Sequence, residues 1–170
     1  LNKIVSNKGR NPHVSKGASP ISNFKTSKNS YEKIKIGLLG NHQIENAKVA
    51  ILLAEELSTH FEISTENIID GLEEARHRGR LEFRGNFLFD GAHNASGAKA
   101  LREFLDEYIE QPITMIFGSM RDKDLTEIAE SLFPKATKLV LTKPDNARSA
   151  ETSEISKFVP KGFRQENLFL

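Results

Sequence analysis

The stretch FLFDGAHN, residues 87–94, sets an acid and an imidazole directly after an apolar run. In open α/β sheets, ligands bind beyond the carboxyl ends of the strands, where such a turn would lie. Asp90 could accept both hydroxyls of a ribose, Gly91 would let the backbone approach a ligand, and His93 could donate to a phosphate oxygen. A helix beginning near Ser96 would add free N–H groups and the positive end of its dipole. The spacing therefore predicts a turn that faces a nucleotide.

The same residues also have a purely structural interpretation. Asp90 could simply end a strand, and Asn94 or Ser96 could cap the helix that follows. Arg80 lies one short hairpin upstream, and pairing of LEFRG with NFLFD would bring it to the side of Asp90, where it would suit phosphate binding. A single arginine in a run such as RHRGR is otherwise typical of a solvated surface.

A second turn, LGNHQIEN at residues 39–46, has the same order of apolar strand, glycine, polar side chains and helix. Gln43 and Asn46 carry amides able to bind the donor and acceptor edge of adenine, with His42 close by. Amides at a helix start are also common caps. The chain contains neither the G-x-G-x-x-G fingerprint nor a G-x-x-x-x-G-K-[ST] phosphate loop.

Two further turns, GSMRDKDL and KPDNARSA, each follow an apolar stretch. Lys123 in the first and Arg148 in the second could bind anions at the same sheet edge. The alternative is that both are ordinary surface charges. Cysteine is absent and the histidines lack metal-ligand spacing, so no metal site is predicted within the chain.

The spacing of apolar residues predicts an α/β chain. Residues 33–39 are predicted as a strand, followed by helices from Ile44 and over 65–77, the second capped by Ser64 or Thr65. The later predicted elements are the strands LEFRG and NFLFD, a helix at 96–109, a strand at 113–117, a helix at 125–132 capped by Asp122 or Asp124, a strand at 138–141 and a short helix near 150–158. This alternation predicts a mostly parallel sheet covered by helices.

The change of pattern around RHRGR predicts a domain boundary, with one domain at 1–78 and a second at 79–170. Residues 1–30 carry several breakers and are predicted as a loop or an irregular hairpin. This start is basic, but it lacks interleaved aromatic residues and any recognition motif, so a solvated loop is favoured over a nucleic-acid arm.

The overall composition is that of a globular protein, with 38% apolar residues and a formal net charge of +1. That charge gives no general attraction to nucleic acid or to membranes. No apolar run is long enough to span a bilayer, and the start lacks the apolar stretch of a secretory signal. Together with the absence of cysteine, this predicts a cytoplasmic location.

Five motifs, in this order and at these spacings, carry a family resemblance: LLGNHQIENAKVA, RGRLEF, FLFDGAHNASGAKAL, IFGSMRDKDL and LTKPDNARSA. They resemble the second half of folylpolyglutamate synthase/dihydrofolate synthase in the Mur ligase superfamily, from about Lys33 to about Phe158. The implied fold is the end of a central ATP-binding domain followed by a Rossmann-like Mur ligase C-terminal domain that is incomplete.

The resemblance implies an ATP-dependent ligase of folate biosynthesis. In such enzymes ATP phosphorylates a substrate carboxylate, and the amine of L-glutamate then attacks the acyl phosphate. The matching positions imply Asp90 at the ribose, Arg80 and His93 at the phosphates, and Gln43 and Asn46, with His42, near the adenine. Lys123 and Arg148 would belong to the domain that binds glutamate. No residue of this chain is assigned a catalytic role.

Some features of the family are absent or changed. Its phosphate loop, its Mg²⁺ ligands and its modified lysine are expected upstream of Leu1, and alanine replaces the usual proline at Ala95 and Ala147. The chain is therefore expected to be a fragment, a split-gene product or a decayed copy, inactive without an N-terminal half. A Mur-type peptidoglycan ligase and a non-catalytic nucleotide-binding remnant remain alternatives.

Overall fold

The structure, a computed structural model, describes residues 2–6 and 19–170, with side chains described from residue 19 onward. Its helices and strands, in chain order, are β1 (Asn2–Ser6), β2 (Ile21–Lys25), β3 (Ser30–Lys35), α1 (Gln43–Leu57), α2 (Thr65–Glu74), β4 (Glu82–Arg84), β5 (Phe87–Asp90), α3 (Ala95–Tyr108), β6 (Ile113–Phe117), α4 (Leu125–Leu132), β7 (Ala136–Leu141), α5 (Thr152–Ile155) and β8 (Leu168–Phe169). The described residues form two compact units, one of residues 19–77 and one of residues 2–6 with 78–170.

The unit of residues 19–77, called here the hairpin unit, packs the β2–β3 hairpin against α1 and α2. Its core consists of apolar side chains from all four elements: Phe24, Tyr31, Ile34, Ile36, Ala47, Ile51, Ile68 and Leu72. The hairpin register shifts between Ser22 and Phe24. The irregular hairpin predicted within residues 1–30 is thus confirmed for β2, whereas residues 7–18 lie outside the described residues. The strand predicted at 33–39 is observed as β3 at Ser30–Lys35, and its predicted end is wrong because the Gly37 N–H donates to the Leu72 carbonyl of α2 instead of to a strand.

The other unit, called here the sheet unit, contains a six-stranded sheet in the order β4-β5-β1-β6-β7-β8. Only β6, β7 and β8 pair in parallel, because β1 pairs antiparallel with both β5 and β6, and β4 pairs antiparallel with β5. The prediction of a mostly parallel sheet is therefore wrong for the pairings β4–β5, β5–β1 and β1–β6 and right for β6–β7 and β7–β8. The predicted loop at the start is also wrong over Asn2–Ser6, whose partner strands lie far along the chain.

The antiparallel β1 nevertheless leaves the turns of the sheet unit on one edge. Since β5 and β6 both run opposite to β1, they run in the same direction as each other. Strand β7 is parallel to β6, so the carboxyl ends of β5, β6 and β7 meet at the same edge. Ligands bind at such an edge in α/β sheets, and all three turns that were predicted to carry charged site residues begin there.

Several predicted boundaries are close to the observed ones, and one differs for a clear reason. Helix α2 begins behind a Ser64 cap as predicted, but it ends at Glu74 instead of His77. The Arg76 guanidinium donates to the carbonyls of Glu73 and Ala75, at 3.1 and 2.7 Å, and so satisfies carbonyl groups that the helix end leaves open. No helix among the described residues is long and apolar enough to cross a membrane.

Candidate functional site

Asp90 stands at the end of β5, and its carboxylate is bonded on both oxygens to backbone amides. Its Oδ1 accepts from the Ala92 N–H at 2.8 Å, and its Oδ2 accepts from the Leu81 N–H at 2.9 Å. Only 6% of the residue is exposed. Asp90 therefore joins the segment before β4 to the turn after β5. Because a carboxylate has further lone pairs, its predicted contact with a ribose stays a prediction.

Arg80 lies beside this turn, as the predicted hairpin required. The position that a Cβ would take at Gly91 is 3.4 Å from the Gly79 carbonyl oxygen and 3.8 Å from Arg80 Nη1. The Leu81 backbone has a φ of 45°, in the left-handed region, and the Asp90 carboxylate holds its N–H. Within residues 19–170 the exposed Arg80 guanidinium forms no hydrogen bond or ion pair, so its donors remain open to an anion.

His93 is exposed on the same turn, with its ring oriented by the backbone. Its Nδ1 lies 2.8 Å from the Gly91 carbonyl oxygen. A carbonyl oxygen only accepts, so Nδ1 carries the proton of this bond. The opposite nitrogen, Nε2, could donate to a phosphate oxygen only if the ring were in its imidazolium form, because a neutral imidazole has a single N–H.

The turn ends in a capped helix. The Asn94 side chain accepts from the Gly97 N–H at 2.8 Å, and Asn94 is the N-cap of α3. Of the two predicted caps, Asn94 is the one observed. The structural interpretation of this asparagine is thus confirmed, and the arrangement places the positive end of the α3 dipole next to His93.

The turns after β6 and β7 are joined through their backbones. The Arg121 N–H donates to the Arg148 carbonyl at 2.9 Å, the Ala150 N–H donates to the Ser119 carbonyl at 2.9 Å, and Met120 bridges to Ser149. The predicted cap Asp124 accepts from two N–H groups at the start of α4, and it is the observed one of the two candidates.

Lys123 and Arg148, the predicted anion-binding cations, share one acid. Arg148 Nη2 lies 3.0 and 3.2 Å from the two oxygens of Asp122, and Lys123 Nζ lies 3.5 Å from Asp122 Oδ2. Partial burial tends to raise the pKa of Asp122, but the bond from Arg148, a backbone hydrogen bond and the charges of Arg148 and Lys123 together lower it. The structure thus brings the two cations together, but around a carboxylate of the chain itself.

A neighbouring group of charges was not predicted from the sequence. Arg121 lies 3.4 Å from Glu151 and 3.5 Å from Glu154, and Lys143 lies 2.6 Å from Glu151. The only signal in the sequence was the position of Arg121 and Lys143 in turns that follow apolar strands. All four side chains are substantially exposed, so these pairs orient the turns more than they stabilise the fold.

In the hairpin unit, the structure brings together the three residues predicted to lie near adenine. Asn46 Nδ2 donates to Gln43 Oε1 at 2.8 Å, and Gln43 Nε2 lies 2.9 Å from His42 Nε2. Gln43 is 5% exposed, whereas Asn46 is exposed. His42 is the N-cap of α1 without a side-chain capping bond. Gln43 thus has one donor and one acceptor already in use inside this chain of three side chains.

No metal site is found in the part of the chain that the structure describes. Over residues 19–170, the acids and histidines form no group of three or more able to hold a metal ion. The acids at the sheet edge instead bond to backbone N–H groups or to the cations described above.

Comparison with known proteins gives the family. The model of the Mur ligase, glutamate ligase domain family matches residues 79–167, which is more than half of the chain. The chain belongs to this Mur ligase family. The match covers the sheet unit from just before β4 to the residue before β8, without β1.

Curated relatives of this Mur ligase chain are folate enzymes. The Bacillus subtilis dihydrofolate synthase/folylpolyglutamate synthase is 35% identical over 115 residues, covering 64% of this chain and 27% of the relative. The folylpolyglutamate synthase of Lacticaseibacillus casei is 33% identical over 104 residues, covering 58% and 24%. The resemblance found in the motifs is thus confirmed, and the chain spans about a quarter of the length of these relatives.

Solved structures confirm the fold. The folylpolyglutamate synthase of Thermotoga maritima matches with a TM-score of 0.69 and 25% identity, over 97% of this chain and 38% of that one. The Mycobacterium tuberculosis folylpolyglutamate synthase, complexed with ADP, matches with a TM-score of 0.74 and 19% identity, over 98% and 37%. The predicted α/β, Mur ligase-type fold class is therefore confirmed across both units.

Proposed function

We propose that this chain is part of an ATP-dependent ligase that joins L-glutamate to folate or to dihydropteroate. The observation that carries the proposal is the turn after β5, where the open Arg80 guanidinium and the oriented His93 ring flank Gly91. These groups suit the phosphates of a nucleotide, and they lie at the sheet edge where ligands bind in α/β folds. Membership of the glutamate ligase domain family supports the reaction class.

The chain's own residues would bind and orient ATP, while ATP activates the substrate carboxylate as an acyl phosphate. Arg80 would neutralise phosphate charge through its guanidinium fork. His93 would add a donor from Nε2 while Nδ1 remains on Gly91. Asp90 would keep Arg80 and the turn in their relative positions through its bonds to the Leu81 and Ala92 N–H groups. It could also accept a hydrogen bond from a ribose hydroxyl with a remaining lone pair.

In the hairpin unit, His42, Gln43 and Asn46 would contact the adenine. The exposed Asn46 retains an amide oxygen for this purpose. Lys123 and Arg148 would receive the carboxylates of the incoming glutamate, whose amine then attacks the acyl phosphate to give an amide and phosphate. For this step Asp122 has to release at least one of the two cations.

Other parts of the proposal extend beyond the described residues. Among residues 19–170 the acids do not form a site that fits Mg²⁺, so no step of the reaction is assigned to that ion. The phosphate loop and the metal ligands are proposed to come from an N-terminal half. We further propose that the predicted domains 1–78 and 79–170 correspond to a central ATP-binding domain and a C-terminal domain, except that Asn2–Ser6, which pair with β5 and β6, belong with the second. We also propose that the location is cytoplasmic and that the isolated chain is inactive.

Nucleotide binding and ligation test this function separately. Calorimetric titration with ATP and Mg²⁺, with the N-terminal half of the Bacillus subtilis relative supplied by co-expression, should show binding. Arg80→Ala should weaken that binding by on the order of tenfold or more, because hydrogen bonds between charged groups are worth about 1.5–3 kcal/mol. The exposed Arg84, paired with Glu82, provides the control Arg84→Ala.

Incorporation of labelled glutamate into folate or dihydropteroate is the second measurement. ATP-dependent incorporation that falls in Arg80→Ala and not in Arg84→Ala supports the ligase. Binding without incorporation supports the non-catalytic nucleotide-binding alternative. Incorporation into a peptidoglycan precursor instead of a folate supports the Mur-type alternative, and nucleotide binding unaffected by Arg80→Ala removes the proposed site.

A further inference from the structure

Helix α1 has apolar side chains on both of its sides. Gln43, Ala47, Ile51 and Glu55 recur every four residues on the side that packs in the hairpin unit. The opposite side carries Val49, Leu53 and Leu57 at the same spacing. These side chains, together with Leu52 and the nearby Phe61, are well exposed: Val49 57%, Leu52 57%, Leu53 59%, Leu57 47% and Phe61 63%. This set is called here the outer face of α1.

The outer face is unlike an ordinary solvated helix surface. Helices at the surface of a domain place charged residues opposite their buried side, whereas a helix that is apolar all round is normally buried. On this side of α1 the exposed acids Glu45 and Glu56 accompany the apolar side chains, and each is paired with a lysine, Glu45 with Lys48 at 2.6 Å and Glu56 with Lys28 at 3.5 Å. Single exposed apolar residues are common, but five large apolar side chains exposed along one side of a helix and just beyond its end are typical of a surface that contacts another polypeptide.

The hairpin unit is also small for an independent domain. It has a single two-stranded sheet and two helices over roughly sixty residues, a size at which a core is only marginally stable. The structural matches cover 97% and 98% of this chain, so α1 lies inside them, yet the chain makes up only 38% and 37% of those proteins. Most of the polypeptide that accompanies this helix in those proteins lies outside the match.

We propose that the outer face of α1 is the docking surface for the N-terminal polypeptide of a folylpolyglutamate synthase-type ligase. The occupant is an apolar helix or sheet face of that polypeptide, held by Leu53 and Leu57 at the centre of the contact. The inference rests on the proposed function, since it identifies the partner that would supply the rest of the central domain. It holds whether that polypeptide is joined to this chain or supplied separately.

A co-purification experiment tests the surface. The full chain is co-expressed with the tagged N-terminal polypeptide of the Bacillus subtilis relative, up to the start of its matched region. Wild-type chain should be retained, and Leu53→Lys and Leu57→Lys should each lower the apparent affinity by on the order of tenfold or more, the factor that corresponds to burying one leucine. Lys48→Glu, at the margin of the same helix, is the matched control and should be retained.

Circular dichroism of the variants checks that the chain still folds, as expected for exposed positions. Since the chain has no cysteine, Leu53→Cys gives a second readout: its thiol should be labelled rapidly in the isolated chain and slowly in the complex. A control thiol at Glu66→Cys, on the exposed start of α2, should label at the same rate in both.

Each alternative outcome is distinct. Retention of the lysine variants at the wild-type level, or no retention of the wild-type chain, overturns the proposal. A dimer of the isolated chain by light scattering that Leu53→Lys dissociates assigns the face to a second copy instead. A complex that forms through the outer face but incorporates no glutamate leaves the docking surface in place and counts only against the proposed ligase function.

Discussion

At the scale of single residues, Asp90 has an observed structural role and a separate, proposed role in nucleotide binding. Its two oxygens hold the N–H groups of Leu81 and Ala92, and through them it fixes Arg80 next to the turn that carries His93. The sequence placed these residues correctly, because an acid after an apolar strand and before a helix predicts the edge of the sheet. It did not predict that backbone amides occupy the carboxylate, since that depends on the left-handed conformation at Leu81.

The variant Asp90→Asn should separate these two uses. One oxygen becomes an NH₂ group that faces a backbone N–H, so we expect a loss of about 1–3 kcal/mol in unfolding free energy. If Asp90 acts only by positioning Arg80 and His93, the affinities for ATP and for inorganic tripolyphosphate should fall by the same factor. A direct ribose contact would make the loss larger for ATP.

Urea denaturation and paired titrations of the complex measure these effects. Asp145→Asn, at an exposed position in the turn after β7, is the matched control and should change neither quantity. Unchanged stability in Asp90→Asn would contradict the role assigned to the two amide bonds.

A substitution at Asp122 is predicted to strengthen ligand binding, in contrast to Asp90→Asn, which is predicted to weaken it. Its carboxylate holds Arg148 and Lys123, and its lowered pKa keeps it ionised, so it competes with any external anion near neutral pH. Asp122→Asn should therefore raise the affinity of glutamate several-fold. Titration with L-glutamate measures this, with the exposed Glu130→Gln as control, and equal or weaker binding in Asp122→Asn would count against an anion site at these two cations.

At the scale of the elements, a single carboxylate oxygen joins the β2–β3 hairpin to α1. Glu55 Oε1 accepts from Thr26 Oγ1 at 2.8 Å, Asn29 Nδ2 at 3.1 Å and Tyr31 OH at 3.0 Å, and only 4% of Glu55 is exposed. Burial raises the pKa of Glu55, but the three hydrogen bonds and the nearby Lys28 outweigh it, so the net pKa is lowered. The hairpin is thus anchored by an ionised acid.

This anchor makes the hairpin unit sensitive to acid. A carboxyl whose pKa is lower in the folded state stabilises the fold above its unfolded pKa of about 4.3, and this contribution disappears as the pH falls through the lower folded value. Hydrogen exchange of the α1 amides should therefore accelerate as the pH is lowered below about 5, relative to the intrinsic rate at each pH. In Glu55→Gln, protection should be weaker at neutral pH and change less with acid.

The exposed Glu62→Gln serves as the control for this experiment and should match the wild type. Amides of β6, in the sheet unit, provide an internal reference. If the α1 amides of Glu55→Gln lost protection with falling pH as strongly as those of the wild type, a group other than Glu55 would be responsible for the acid sensitivity.

Gly118 allows the turns after β6 and β7 to approach closely. A Cβ at this position would lie 2.7 Å from the Thr142 carbonyl oxygen and 3.0 Å from Pro144 Cδ. Gly118→Ala therefore forces the two backbones apart, at a cost of about 1–3 kcal/mol in unfolding free energy. Gly162→Ala, where nothing lies within 4 Å, is the control, and equal urea midpoints for the two variants would show that the turns are not held this tightly.

Elements that depend on local pattern were predictable, and those that depend on distant partners were not. Strand β6 and helix α4 coincide with their predicted bounds, since each has a regular apolar spacing and clear ends. Strand β1 was not predicted because the NKIVS segment is short and forms a strand by pairing with β5 and β6, which lie far along the chain. The burial of Glu55 did have a signal, since it continues the four-residue spacing of Ala47 and Ile51.

For the whole molecule, the residues proposed to contact ligands occur in both units. The residues proposed for the phosphates and glutamate lie in the sheet unit, and those proposed for the adenine lie in the hairpin unit. The family match covers only the sheet unit, whereas the structural matches cover both. Binding studies should accordingly use the full chain, since neither unit alone carries all of the proposed nucleotide contacts.

The position of β1 also has a consequence for how the chain is made. Ile4 pairs with Leu88 and Met115, so the first strand leaves the ribosome long before its partners are synthesised. The hairpin unit is contiguous and can fold during that interval. Nascent chains stalled with residue 85 just outside the ribosome should already resist protease in the hairpin unit, while β1 remains cleavable. Simultaneous protection of both would mean that the two units fold together.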